Sequence, residues 1–103
     1  MTAQELERFH KLCRLVKKLP AFSKVIKSIR RKPLKDLLAY VYEDSQGKFN
    51  IVIAKNETFQ NAIDDLAHEL AHVLVDMSNA HGPLFTTMEF YMKRLLSDLL
   101  KTI

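Results

Sequence analysis

His68-Glu69-Leu70-Ala71-His72, followed by His81-Gly82-Pro83-Leu84-Phe85, is the stretch from which the rest of the chain can be read. On a helix, residues four apart share a face, so His68 and His72 present two imidazoles to one ion. Glu69 sits beside them, placed to take a proton from water activated by that ion. A rigid helix cannot surround a cation, so the third ligand must come from beyond its end. His81 follows a turn expected at Asn79-Ala80. It is preferred to its rival Glu89, a carboxylate in the next helix, because zinc favours imidazole. Gly82 is expected to permit tight backbone geometry beside the ligand. The pattern predicts one Zn2+ ion held by His68, His72 and His81, with a fourth position left for water. It also predicts hydrolysis with Glu69 as general base and acid, peptide bonds being the first substrate class.

The helix carrying these residues is predicted over about 58–77, with several possible starts between Asn56 and Asn61. Ile63, Leu66, Ala67, Leu70, Val73, Leu74 and Met77 form its core stripe. Asp65, His68, Glu69, His72 and Asp76 form a second stripe, rotated away from the first, as a helix lining a cleft requires. Asp65 and Asp76 are candidate partners for the ligand histidines, Asp65 reading more simply as a solvated helix residue. After a turn at Ser78–Gly82, Pro83 suits the first position of a last helix running to about Lys101. Phe85, Met88, Tyr91, Met92, Leu95, Leu96 and Leu99 are expected mostly inward. Tyr91 is also a candidate oxyanion stabiliser, although a core role is the simpler reading.

Upstream, Leu6, Phe9, Leu12, Cys13, Val16 and Leu19 recur at helical spacing from about Ala3 to Leu19, where Pro20 ends the pattern. A second helix is predicted from Ala21 to about Arg31, with Phe22, Val25, Ile26 and Ile29 inward and Lys24, Lys27, Arg30 and Arg31 outward. Leu37–Glu43 and Phe49–Ala54 then read as a β-hairpin around Asp44-Ser45-Gln46-Gly47. If Phe49–Ala54 is the sheet edge above the cleft, an extended peptide could add to it as a further strand, with Phe49, Ile51 and Ile53 facing the core.

The 103 residues make a single α+β domain, with 48% apolar residues, two glycines and three prolines. That composition excludes a disordered chain. Cys13 is alone, which rules out an internal disulfide and suits a reducing, intracellular setting. No apolar signal core opens the chain and no membrane span is expected. The net charge of +4 is unevenly spread: Arg8 to Lys35 holds eleven Lys or Arg and no acid, while the remainder holds five basic residues and all twelve acids. A basic segment beside an acidic one suggests a polyanionic partner, DNA first, with Lys24, Lys27, Arg30 and Arg31 as contacts.

The paired motifs, His68-Glu69-Leu70-Ala71-His72 and His81-Gly82-Pro83-Leu84-Phe85, resemble those of the SprT-like, or Spartan-like, zinc metallopeptidases. The likeness runs over residues 49 to 90. It implies a zincin-like fold with an edge strand over the site, zinc on His68, His72 and His81, and Glu69 as catalytic acid and base. Members of that family degrade proteins crosslinked to DNA and are switched on by DNA. The chain would be a minimal form, with two N-terminal helices (basic segment 3–35), a hairpin (37–54), the site helix and a C-terminal helix (83–101). Two other readings compete with a peptidase. One is a basic DNA-binding module with a structural or vestigial metal site; the other is a zinc hydrolase of non-peptide amides.

Overall fold

Thr2 opens the first helix through a reciprocal cap. Its Oγ1 accepts from the Glu5 amide at 3.1 Å, while Glu5 Oε1 accepts from the Thr2 amide at 2.8 Å. That helix, α1, spans Ala3–Lys18 and buries Phe9, Leu12, Cys13 and Val16, the face its spacing predicts. Burial pushes the Cys13 thiol up to about 12, so it packs as an inert apolar group. The computed structural model describes residues 1–75 and 81–103. Within them the chain is an α+β domain of three helices and a three-stranded mixed sheet. None of these helices is long and apolar enough to cross a membrane.

The predicted second helix does not form. Residues 21–25 make a turn in which the Ile26 amide bonds the Phe22 carbonyl at 2.9 Å, and the chain then runs as strand β1, Ile26–Lys32. The reason lies in the hairpin that follows. Its strands are β2 (Ala39–Glu43) and β3 (Phe49–Ala54), and in β3 Ile51, Val52, Ile53 and Ala54 are all buried. A strand buried on both faces must also pair along both edges, because an unpaired buried N–H or C=O is costly. β2 pairs antiparallel with one edge and β1 parallel with the other, giving the order β1-β3-β2. This tertiary demand overrides the helical spacing of Val25, Ile26 and Ile29, whose β-branched side chains suit a strand.

The same order corrects the expected edge strand. β3 is central and β2 lies at the edge. The hairpin turn uses Asp44, whose Oδ1 accepts from the amides of Gln46 at 2.9 Å and Lys48 at 3.0 Å, and Gly47, whose φ of 77° favours glycine.

Helix α2 (Phe59–Leu74) starts at Thr58, which caps the Asn61 amide at 3.2 Å, and packs across β2 and β3. Ile63, Leu66, Ala67 and Leu70 enter one core with Ile51 and Ile53, while Leu74 is left exposed. Helix α3 (Pro83–Leu100) lies against α2 through Phe85, Met92 and Leu96. Met77, Asp76 and the turn at Ser78-Asn79-Ala80 lie outside the described residues.

Candidate metal centre and cleft

α2 separates its two faces as the sequence predicts. Leu66, Ala67 and Leu70 are buried in the core, whereas Asp65, His68, Glu69 and His72 line a cleft of about 570 Å³. His81 reaches the same cleft from the segment before α3. One donor atom from each of His68, His72 and His81 falls within 4.8 Å of the others, so these three side chains are close enough to hold a metal ion. His72 Nε2 and His81 Nε2 are 3.2 Å apart.

Phe85 sets this arrangement. It is buried, and its ring centroid lies 4.9 Å from that of His68, 4.5 Å from His72 and 4.5 Å from His81. One aromatic platform therefore contacts all three imidazoles. Pro83 and Gly82 start the helix that carries it. Gly82 has φ −76° and ψ −174°, an ordinary extended conformation, and a Cβ there would meet nothing within 4 Å. The expected need for glycine beside His81 is thus absent. The extended backbone instead suits the residue that precedes a proline.

Glu89 is the rival ligand of the sequence reading, and it lies elsewhere in the constellation. Its Oε2 accepts from His68 Nδ1 at 2.7 Å, which leaves His68 Nε2 for an ion. Glu89 is one helical turn beyond Phe85 on the same face of α3, so the motif that supplies the platform also positions the carboxylate. We predict that Glu89→Gln weakens metal affinity by about 10–100-fold, the usual cost of losing such a partner. Competition against a chromophoric chelator measures this; wild-type affinity in the variant would exclude the role.

Glu69 is 5% exposed, though its carboxyl opens on the cleft. Burial holds that carboxyl above the usual carboxylate range; His68 and His72 pull it down, and Glu89 pushes it up. Asp65 corrects its reading as a solvated residue. It is half-buried and faces Glu57, a residue just before α2 that sequence reasoning passed over. Burial first, then the hydrogen bond and charge of Glu57, then Glu69 and Asp64, raise Asp65 to about 7.

Two further expectations fail. Tyr91 is 55% exposed on α3 and lies neither in the core nor on the cleft; Lys93, one turn after Glu89, is the α3 residue that joins Glu89 on the cleft wall. Lys24, Lys27, Arg30 and Arg31 do not share a helix face. Lys24 lies in the turn and the others on β1. Arg31 is half-buried and donates to the Lys55 carbonyl, Arg30 donates to Tyr42 Oη at 3.3 Å, and Lys27 pairs with Asp44 at 3.8 Å. The opposite rim of the cleft comes from β2 and the loop before it, where Leu37 and Leu38 are 56% and 60% exposed.

No family model, no curated protein and no solved structure matches this chain.

Proposed function

We propose that this chain is a zinc-dependent peptidase domain of zincin-like architecture, in keeping with its resemblance to the SprT-like metallopeptidases. The observation that carries the reading is the convergence of His68, His72 and His81 on one cleft that also holds the Glu69 carboxyl. The donor set fits the metal. Nitrogens bound tetrahedrally at about 2.0–2.1 Å stand about 3.3 Å apart, close to the 3.2 Å between His72 and His81. Three imidazoles on an open cleft also suit a site that keeps a position for water, whereas structural zinc sites close all four.

Zinc in this cage would supply Lewis acidity, polarising a carbonyl and acidifying water. The remaining work falls to the chain's own residues. Glu69, made more basic by burial, takes a proton from water in the cleft and returns it to the departing amine. Glu89 and Phe85 hold the imidazoles in place, so the site needs little reorganisation. Lys93 takes over from Tyr91 as the candidate to face negative charge on the substrate. The outer edge of β2 has no strand partner among the described residues. An extended peptide can add there, above Glu69, by main-chain hydrogen bonding.

Zinc-loaded protein should cleave members of a random peptide library, and cleavage should stop on chelation and return with zinc. A library left intact at full zinc occupancy would remove the peptidase reading and leave hydrolysis of a non-peptide amide. DNA remains the partner proposed for the basic surface, on which Lys24, Lys27 and Arg30 stay exposed. Reversing those three charges should weaken DNA binding and flatten its salt dependence by about 0.9 per lost phosphate contact. An unchanged slope would exclude this surface.

A further inference from the structure

Leu37 and Leu38 are both more than half exposed, and both line the cleft that holds the three imidazoles and Glu69. Single apolar residues on a surface are ordinary, whereas adjacent ones at the mouth of a polar cleft mark a contact surface. The backbone fixes where this pair stands. The Ala54 amide donates to the Leu38 carbonyl at 2.8 Å, and at the other end of the hairpin the Asp44 amide donates to the Lys48 carbonyl at 2.8 Å. Antiparallel pairing alternates along a strand. Leu38, Tyr40 and Tyr42 therefore turn their N–H and C=O groups toward β3, while Ala39 and Val41 turn theirs toward the open edge. The two leucines thus head the edge on which an extended peptide would add. The chain enters this edge through Asp36, whose φ of 64° lies in the left-handed region. No other non-glycine residue among those described has a positive φ, so the turn that delivers the leucines is held at a cost in backbone strain.

We propose that Leu37 and Leu38 form a subsite that selects substrates with a bulky apolar side chain, that of leucine, methionine or phenylalanine, on the residue lying beside the start of β2. The proposal rests on the peptidase reading and names the substrate class of that site. Main-chain pairing along Ala39 and Val41 gives affinity without reading side chains, so selection must come from what flanks it. Ala39 and Val41 themselves pack against the core. The leucines are the large aliphatic groups of that rim left in solvent, and an apolar substrate residue set against them removes its own surface and theirs from water. The rest of the cleft sharpens the contrast. Asp36, Asp64, Asp65, Glu69 and Glu89 line it, a field that repels an acidic residue at the same place.

The test uses end-blocked, fluorescently labelled peptides of alanine and serine in which one position carries either leucine or alanine. Binding is measured by fluorescence polarisation on the metal-free chain and cleavage on the zinc-loaded protein. The leucine peptide should bind about tenfold more tightly, since the added carbons realise only part of their transfer free energy at an open rim. When the leucine is moved along the peptide, the bond cut should move with it and keep a fixed distance from it. Replacing both residues, Leu37→Ser with Leu38→Ser, should reduce the binding ratio to about twofold or less with Tm little changed, because both side chains are exposed. Phe90→Ser, at a residue 58% exposed and away from the cleft, should leave the ratio intact. Equal binding of the two peptides by the wild type would overturn the proposal. So would a ratio that survives the double replacement, or one lost equally in Phe90→Ser, which would mark general surface adhesion. A dimer that the double replacement dissolves, with the peptide ratio unchanged, would assign the leucines to a second copy of the chain and overturn it too. If peptides are cut without regard to leucine, the subsite falls and the peptidase reading stands; if none is cut while the binding ratio behaves as described, the reverse holds.

Discussion

His81→Ala should lower affinity for a divalent ion by at least about 100-fold, beyond the usual cost of losing a supporting partner, because it removes a ligand. The folded chain itself should be little disturbed. His81 is exposed, and its ring leans on Phe85 rather than filling the core. The ring nevertheless places Nε2 3.2 Å from that of His72, and no other residue among those described completes a cluster of three with His68 and His72. Metal content after dialysis, together with the rise in Tm on adding zinc, measures the effect. A ligand that binds only the folded state raises stability in proportion to the logarithm of its concentration over its Kd, so the wild-type rise should be largely absent from the variant. If His81→Ala kept its ion and Glu89→Ala lost it, Glu89 would be the third ligand and the assignment of roles on α3 would reverse.

Glu69→Gln should separate binding from chemistry. Turnover should fall by about 10²–10⁴-fold, the range for losing a positioned acid and base, while metal content stays at the wild-type level. The variant also carries a pH signature in the metal-free chain. Burial raises the Glu69 carboxyl above its ordinary value, so the folded state holds its proton more tightly than the unfolded state does. Its contribution is therefore fully present below the unfolded pKa and is lost as pH rises through the folded pKa. Glutamine removes this titration, so the metal-free variant should lose less stability on going from acid to neutral pH than the wild type. A variant that turned over peptide at the wild-type rate would leave Glu69 without a catalytic role. Unchanged pH dependence would contradict its burial.

The donor set was legible because it is written in local geometry. His68 and His72 share a helical face whatever the rest of the chain does, and the core stripe through Leu66 and Leu70 follows from the same period. Pro83 marked the start of α3 for an equally local reason. Phe85 reads as an inward residue from its spacing, but its contact with three imidazoles depends on how α3 lies on α2. Glu89 reads as a rival ligand because related zinc enzymes use a carboxylate from a following helix; in the fold its Oε2 stands 2.7 Å from His68 Nδ1, a contact that sequence spacing does not record. A signal for the missing strand was present in Phe49–Ala54, whose apolar run suits a strand buried on both faces and so demands two neighbours. Helical spacing in Val25, Ile26 and Ile29 pointed the other way, and the pairing demand of β3 prevailed.

By itself the sequence determined the faces of α1 and α2, the convergence of two imidazoles on one turn, and the uneven distribution of charge, all properties of residues a few positions apart. Tertiary structure alone decided that residues 26–32 extend beside β3, that β2 rather than β3 borders the cleft, and that Glu57 meets Asp65. Those outcomes turn on which backbone edges and buried charges must find partners across the fold. That condition is satisfied between distant segments, so no local period records it.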